Sequence, residues 1–546
     1  MTVGANTGSG RSAVSSTARA GTARTALSLL LLLGALITGT AWALASPVGS
    51  SPDDNYHQTS IWCAAGSSDW CVLTPNQAGS FAAAVPERVA LSQACFQSQP
   101  ETSAACTNTL GNALTRWVGP PLGALYPGPY YDVHHHLVSA DVGRSVLLMR
   151  LFNVVVATVL LGAVLAVADR GTRGMVTLGF LGSVVPLGLF IIASVNPSSW
   201  ALTGVTVTWA SLHVLLGSRN RGTLVGSTIL YTAGVAMAAA SRGDAGAYVV
   251  VVSAAIVLLR GRGARTRPWL LAVPLAGALV GLSSFVAAQQ TQVLATGWAG
   301  PEGRSGAELW FNNLTELPGL VAGSFGVGPL GRLGWFDTAM PAATSAFASL
   351  VFGGLFFLGF RCVTSRKLAA VAGITVVVLA APLYVLQISG NFVGENVQPR
   401  YLLPLLPALL GVSLAGRRSG EVVRPSRTQA VLAYVLLVVA HSTALHATIR
   451  RFVTGSDVRV FNLEPTEWWW SSAPSPMVVW ALGTGAFAVL ATAVLLVSAP
   501  GDSRSPEQRT APDRAAGGRS AAAEPSHRLA RGRITDHPAL LEDKPP

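Results

Sequence analysis

Long apolar runs recur along the whole chain and constrain its fold more than any other feature. Only 11% of the 546 residues are charged, and the mean hydropathy is +0.47, whereas soluble domains carry about 25% charged residues. A bilayer cannot satisfy open backbone groups, so membrane-spanning runs must be helices. The sequence therefore predicts an all-α, polytopic integral membrane protein with about twelve transmembrane helices. The runs are residues 25–47, 145–167, 175–195, 200–217, 222–240, 244–259, 268–288, 343–360, 368–388, 401–415, 428–447 and 476–498.

Basic residues are divided unevenly between two alternating sets of loops. One set, including "ADRGTRG", "RGRGARTR" and "GRRSGEVVRPSR", carries two to four basic residues in each loop. The other set, including "NPSS" and "SRGDAG", carries none or one. By the positive-inside rule the first set is cytoplasmic, and an even number of spans places both termini inside. The net charge of +12 thus indicates orientation, and no nucleic-acid partner is expected. The segments 244–259 and 401–415 are short, which leaves the count open by a pair.

The remaining sequence divides into outer loops and terminal segments. Residues 1–24 are predicted to be a cytoplasmic N-terminal segment, 25–498 the transmembrane domain, and 499–546 a disordered cytoplasmic tail rich in Pro, Ala, Ser and mixed charge. The "ALA" at residues 43–45 also fits signal-peptide cleavage, but the apolar run before it is longer than usual, which favours a retained span. Three long segments are expected on the outer side: residues 48–144, 289–342 and 448–475.

Cysteines give an independent indication of sidedness. Four of the five lie in the first outer loop, and Cys362 lies in a predicted cytoplasmic loop. An even cluster on the outer side is typical of an oxidising compartment. Of the three possible connectivities we predict the most local; free thiols are the alternative, and the lack of a C-x-x-C spacing argues against zinc. The predicted pairs are Cys63–Cys71 and Cys95–Cys106.

Adjacent carboxylates, Asp53 and Asp54, follow the first span at the outer interface. They could bind a divalent cation such as Mg²⁺ or Mn²⁺ through hard oxygen ligands, or one could act as general base on an acceptor hydroxyl. A purely structural interpretation fits equally well: Ser51 as N-cap, Pro52 at the first helical position and acids in the first turn make a good helix start. His57, one turn beyond Asp54, could face the same pocket as a catalytic residue or could simply pack.

Two arginines are predicted near the same level. Arg150 lies inside the second span, where an arginine is costly unless it is paired or reaches the headgroups, so a functional role and snorkelling are both open. Arg400 lies at the outer end of the tenth span, where Pro399 and Pro404 stiffen or break the helix. Arginine matches phosphate oxygens in a bidentate geometry. We expect Arg150, Arg400 and the neighbouring Tyr401 to bind a lipid-linked phosphate.

Four short motifs occur in an order that resembles a known family. They are "SPDDNYH", "LLMRLFNVV", "NPSSWALTG" and "QPRYLLPLLP". The chain resembles the bacterial, often actinobacterial, membrane proteins of domain of unknown function family 2142 over roughly residues 25–450, although Asp54 stands where the family has glutamate. That family is similar to the GT-C glycosyltransferases, which use polyprenyl-phosphate sugars. The resemblance implies a bacterial plasma-membrane enzyme in which Asp53 or Asp54 is the acceptor base or metal ligand and Arg150 and Arg400 hold the donor phosphate.

The function that these features favour is inverting glycosyl transfer at the outer leaflet. The expected partners are membrane lipids, a polyprenyl-phosphate sugar donor and a cell-envelope glycan or protein acceptor. A transporter or flippase of lipid-linked glycans is the alternative, although transporters usually place ionisable residues at the midplane and show internal repeats. A glycan polymerase or ligase, or a non-catalytic envelope-assembly protein, would also fit an outward-facing polar site.

Overall fold

The computed structural model shows a predominantly helical chain. The residues that the structure describes are 9–75, 81–118, 122, 126–288, 304, 306–418, 420–464 and 467–498. The predicted tail at 499–546 and residues 289–303 of the second outer segment lie outside the described residues. The described helices are α1 Ser9–Leu44, α2 Asp54–Trp62, α3 Glu87–Leu91, α4 Gly128–His135, α5 Val142–Val167, α6 Arg170–Leu181, α7 Leu187–Ile192, α8 Ser198–Gly217, α9 Arg221–Ala239, α10 Gly243–Arg265, α11 Ala272–Ala287, α12 Ala307–Glu316, α13 Pro318–Gly323, α14 Ala342–Gly359, α15 Ser365–Ser389, α16 Pro399–Leu402, α17 Leu406–Ser413, α18 Arg427–Val453 and α19 Pro476–Ser498.

Within the described residues, ten helices are long and apolar enough to cross a membrane. They agree with ten of the twelve predicted runs to within a few residues, which confirms the polytopic helical architecture. The ten segments are Thr25–Leu44, Val142–Val167, Ser198–Gly217, Arg221–Ala239, Gly243–Gly261, Pro268–Ala287, Ala342–Gly359, Ser365–Ser389, Arg427–Val453 and Pro476–Ser498.

The other two predicted runs, 175–195 and 401–415, are interrupted helices. The first is divided into α6 and α7, with Pro186 between them, and the second into α16, a 3-10 turn over Leu403–Leu405 and α17, at Pro404. Proline removes one backbone donor and collides with the preceding turn, so a continuous helix is disfavoured at both places. Non-helical backbone is tolerated at membrane depth when protein surrounds it, and both segments are almost wholly buried.

Both interrupted segments still connect the two ends of the helix bundle. One end of the first lies at the loop 416–426, where the Gly171 and Gly420 backbones meet so closely that a side chain on Gly171 would overlap the Gly420 carbonyl. The other end is Asn196, whose side-chain amide donates to the Pro52 carbonyl at 2.8 Å. The second segment runs between the same two ends. Their paths therefore resemble those of the ten continuous helices.

The first outer loop is a small folded unit. Its two disulfides pair as predicted, Cys63 with Cys71 and Cys95 with Cys106, while Cys362 is a free thiol. The first crosslink precedes an antiparallel three-stranded sheet, in which the strands lie in chain order, and the second lies between its second and third strands. The strands are β1 Val72–Pro75, β2 Phe81–Pro86 and β3 Leu114–Arg116.

A buried arginine fastens this loop to the bundle. Arg451, in the last turn of α18, donates to the carbonyls of Thr102 (2.7 Å) and Phe96 (2.8 Å). It also forms an ion pair of 2.9 Å with Asp337, which belongs to the second outer segment. Because the charge is both paired and hydrogen-bonded, its burial is compensated. Arg451 thereby holds both outer segments over the end of the bundle where Asp53 lies.

Candidate functional site

Asp53 occupies a strained position between α1 and α2. Its backbone has φ 60° and ψ 18°, in the left-handed region that only Asn, Asp and Gly adopt with any ease. Asp53 is the N-cap of α2, yet its side chain makes no capping bond. Arg400 Nη2 instead donates to Asp53 Oδ2 at 2.5 Å. The predicted helix start is therefore wrong in one respect. The N-cap position of α2 is occupied by Asp53 and not by Ser51, and the Asp53 side chain pairs with Arg400 instead of capping the helix.

The Asp53–Arg400 pair is buried on one side only. The Asp53 side chain is 41% exposed, whereas that of Arg400 is 3% exposed. Partial burial raises the pKa of the Asp53 carboxyl, but the Arg400 guanidinium, with a smaller contribution from Arg242, outweighs this and leaves the pKa below its usual value. Asp53 is therefore an ionised carboxylate that remains accessible from the outer face.

Asp54 has a different environment from that of its neighbour. Its side chain is fully buried, and it accepts hydrogen bonds from the Ser51 amide (3.0 Å) and the Ser51 hydroxyl. Burial raises its pKa to about 6, although Arg150 at 3.8 Å favours the ionised form. Asp54 thus serves the start of α2, as the structural interpretation predicted for an acid in the first turn, and it does not face the outer surface.

Arg150 supports the segment that carries the two acids. Its guanidinium is fully buried inside α5 and donates to three main-chain carbonyls, those of Ala43 (2.9 Å), Ser46 (2.7 Å) and Pro47 (2.7 Å). It therefore neither snorkels nor presents its charge to a ligand. The predicted phosphate-binding role does not fit this geometry, because the end of α1 already uses Nη1 and Nη2. Arg150 is a positioning residue for Asp53.

His57 and two tyrosines form the inner wall behind Asp53. His57 is buried, and its Nδ1 shares a hydrogen bond of 3.0 Å with the Tyr131 hydroxyl. The Tyr126 ring lies edge-on, 5.0 Å from the imidazole. Burial lowers the pKa of His57 to about 3, despite the opposing effect of Asp53, so the imidazole is neutral at physiological pH. His57 is thus close enough to influence Asp53 but offers no positive charge.

A second arginine, Arg242, lies beside the pair. Asp244 holds it through two hydrogen bonds of 2.8 Å. Its guanidinium lies 4.4 Å above the Tyr401 ring and 5.7 Å from that of Tyr126, distances typical of cation–π contacts. Sequence reasoning did not include Arg242 in the site. The signal was available, because Arg242 is the single basic residue in the basic-poor loop "SRGDAG".

Arg400 retains unused hydrogen-bonding capacity. Nη2 serves Asp53 and, at 3.3 Å, the Tyr401 hydroxyl, but Nε and Nη1 are buried without a hydrogen-bond partner. Both are donors that cost free energy when they remain unpaired. Arg400 borders a shallow pocket, and the exposed Arg332, absent from the sequence-based site, lies on the same lining. The other lining residues are Pro52, Leu187, Phe190, Leu330, Leu333, Gly334, Phe336, Gln398 and Pro399.

The described residues provide a poor donor set for a metal ion. No group of three or more His, Cys, Asp or Glu side chains in this part of the chain could hold a cation. Asp53 faces Arg400, whereas Asp54 is enclosed with Ser51, so the two carboxylates serve different partners. Three consecutive histidines, at positions 134–136, do not form a metal cluster either. His134 shares a hydrogen bond with the Asn153 side chain, and His135 donates to the Ile61 carbonyl. We therefore derive no reaction step through Mg²⁺ or Mn²⁺.

A family model described as "Predicted membrane protein (DUF2142)" matches residues 36–409, which is more than half of the chain. The chain belongs to the DUF2142 family. The matched region contains Asp53, Arg150 and Arg400, together with all four motifs that carry the resemblance. No curated protein matches the chain. Membership in DUF2142 establishes a polytopic membrane protein, and the reaction must be argued from the site.

Proposed function

We propose that this DUF2142 protein is an inverting glycosyltransferase of the GT-C type. Its donor would be a sugar linked to polyprenyl phosphate at the outer leaflet, and its acceptor a hydroxyl of a cell-envelope glycan or protein. The proposal includes a bacterial plasma-membrane location with both termini in the cytoplasm, as the loop charges favour.

The observation that carries the proposal is the state of Arg400. Its guanidinium binds an ionised, partly exposed carboxylate through Nη2 and keeps two buried nitrogens free of partners. A phosphate oxygen would satisfy those nitrogens with charge-assisted hydrogen bonds. The neighbouring pocket is lined mostly by apolar side chains, with Arg332 as a second cation. These residues match an anionic head joined to an isoprenoid chain in charge and polarity, and the pocket, whose volume is about 10 Å³ in this structure, must widen to admit the donor.

The reaction follows from this charge arrangement. Asp53 accepts the proton of the acceptor hydroxyl as that oxygen attacks the anomeric carbon of the sugar. The bond between the anomeric carbon and the phosphate oxygen breaks, and its electron pair leaves with polyprenyl phosphate. Arg400, aided by Arg332, stabilises the negative charge that grows on the departing phosphate. The configuration at the anomeric carbon inverts because attack and departure occur on opposite faces.

Donor binding would also activate the base. While Arg400 is paired with Asp53 and with no phosphate, its charge lowers the pKa of Asp53, so the carboxylate is a weak base. The phosphodiester monoanion of the donor, bound to Arg400, offsets that charge, so the pKa of Asp53 rises toward its usual value and the carboxylate becomes a better proton acceptor. This coupling gives ordered binding, in which the donor precedes proton transfer from the acceptor.

The proposal is tested by sugar and linkage analysis of the cell envelope from a strain that lacks the gene. The strain is complemented with wild type, Asp53→Asn, Arg400→Gln or Arg418→Gln, and the abundance of each protein in the membrane is measured. Arg418 is a matched control because it lies in an exposed loop and its side chain is 88% exposed.

We expect one sugar residue or linkage to disappear on deletion and to return with wild type and Arg418→Gln only. If abundant Asp53→Asn and Arg400→Gln proteins restore it fully, the site is not catalytic. If, in the Asp53→Asn strain, lipid-linked sugar accumulates on the cytoplasmic side, the protein is a flippase and the transfer mechanism is wrong.

A further inference from the structure

A second cavity lies at the same end of the bundle, away from Asp53. It has a volume of about 200 Å³ and lies between α14, α18 and α19. The segment that precedes α14 connects this region to the candidate site, because Trp335 Nε1 donates to the Gly49 carbonyl at 2.9 Å. The cavity is lined by Pro341, Ser442, Thr443, His446, Ala447, Arg450, Phe461 and Trp480.

Three rings give this cavity an apolar wall. His446 and Phe461 are stacked, with ring centroids 5.6 Å apart and planes 11° apart, and Trp480 lies nearly perpendicular to both. Both N–H donors of these rings are used: Trp480 Nε1 donates to the Ser442 carbonyl, and His446 Nε2 donates to the Phe461 carbonyl. The wall is therefore suited to hydrocarbon rather than to a polar ligand.

Arg450 places a cation at this apolar wall. It lies in the last turn of α18, and no ion pair or side-chain hydrogen bond involves its guanidinium within the described residues. Its Nε is buried and unpartnered. The adjacent Arg451 provides the contrast, because Asp337 and main-chain carbonyls compensate its charge. Arg450 thus has donor capacity that the protein leaves unfilled.

Exposed apolar side chains lie on the helix and the loop that line this cavity. Leu482 on α19 is 56% exposed, in a helix apolar enough to span the membrane. The adjoining loop also exposes apolar side chains, with Val460 at 42% and Phe461 at 66%. Exposed aliphatic and aromatic side chains beside a span are typical of a segment that enters the headgroup region.

We infer that this cavity binds the headgroup of an anionic phospholipid from the surrounding leaflet. The lipid phosphate accepts hydrogen bonds from Arg450, for which the planar guanidinium is well suited. The glycerol carbons and the start of an acyl chain lie against Trp480 and Phe461. The occupant is a membrane lipid because the cavity lies between helices that are apolar enough to span a membrane and beside exposed apolar side chains. This site is independent of the proposed glycosyl transfer.

The test uses the purified full chain in a neutral detergent, with lipid binding followed by native mass spectrometry. Phosphatidylglycerol is titrated against phosphatidylcholine of the same acyl chains, and undecaprenyl phosphate forms a third arm. The variants are Arg450→Gln, Arg450→Lys and Arg459→Gln. Arg459 is the matched control, because it is an exposed arginine in the loop that follows α18 but does not line the cavity.

We expect wild type and Arg459→Gln to bind phosphatidylglycerol about tenfold more tightly than phosphatidylcholine, because both lipids offer a phosphate to Arg450 but the choline cation offsets that charge and is repelled by the guanidinium. Arg450→Gln should reduce this preference to less than about twofold, and Arg450→Lys should retain part of it. Equal binding of the two phospholipids by wild type would overturn the inference whether or not the variants fold. So would an equal loss in Arg459→Gln, or a loss in Arg450→Gln of undecaprenyl phosphate binding but not of phosphatidylglycerol binding.

Discussion

Arg400 donates to Asp53 across 2.5 Å although 347 positions separate the two residues in the sequence. One partner is almost completely buried and the other is partly exposed. The contact therefore joins the loop after the first span to α16, the start of the interrupted helix that was predicted as the tenth span. It also fixes a carboxylate with a lowered pKa at one end of the bundle, where its side chain is 41% exposed.

Replacing Arg400 with lysine separates charge from geometry. Lysine preserves a positive charge near Asp53, but its three N–H donors share one nitrogen, so it cannot reproduce the planar fork that serves the carboxylate and a phosphate from separate nitrogens. We expect restoration of the glycan to fall about a hundredfold, the usual effect of losing a preorganised donor to developing charge. The measurement is quantitative sugar analysis at matched membrane abundance. Wild-type levels in Arg400→Lys would show that the free nitrogens have no role.

Arg150→Met tests whether Arg150 is structural. The substitution leaves three carbonyls at the end of α1 without their donor and removes the cation nearest to Asp54. We expect the free energy of unfolding to fall by about 3–5 kcal/mol, as when a buried pair loses one partner. Thermal unfolding in detergent measures this loss. Arg144→Gln, at an exposed position on the same helix, should change little; an equal loss there would contradict the assignment.

Much of the architecture could be predicted from the sequence because apolar length and loop charge act locally. Ten spans and both disulfides follow from such local patterns. The broken course of residues 175–195 could not be derived, since hydropathy averages over Pro186 and does not register where a helix stops. Likewise, hydropathy shows that Arg150 is unusual but not which carbonyls surround it.

The candidate site was predicted only in part for a related reason. Asp53 and Arg400 stand out because each is a charge beside a span. Arg332 and Tyr126 lie in outer segments of mixed composition, and only tertiary packing brings them near the pair. Asp53 and Asp54 can be told apart only from the tertiary structure, which buries the Asp54 side chain completely and leaves that of Asp53 41% exposed.

Asp54 should make stability depend on pH. Its pKa is raised from 3.8 to about 6 in the folded state, so the folded protein binds the proton more tightly than the unfolded chain. This contribution is fully present below pH 4 and is lost as the pH rises through about 6; it amounts to about 3 kcal/mol. Asp54→Asn removes it, so the stability of the variant relative to wild type should rise between about pH 4 and pH 6 and level off above that.

Unfolding of the two proteins in detergent at several pH values measures that difference. Comparing the variant with wild type cancels other groups, including His57, whose lowered pKa acts in the opposite direction. Asp69→Asn, at an exposed acid of the same outer loop, is the control and should show no such trend. A difference between Asp54→Asn and wild type that stays constant with pH would mean that Asp54 is not protonated near pH 6.

The Cys95–Cys106 disulfide should stabilise the part of the outer loop that Arg451 fastens to the bundle. The bond closes a short loop next to Phe96 and Thr102, whose carbonyls accept from Arg451. Replacing both cysteines with serine should cost about 2–4 kcal/mol, and cleavage by added protease within residues 87–110 should become faster while the spans stay protected. Cys362→Ser, which removes the free thiol on the other side, should leave the pattern unchanged. Equal protease resistance with and without the disulfide would mean that the contacts of Arg451 alone hold the loop in place.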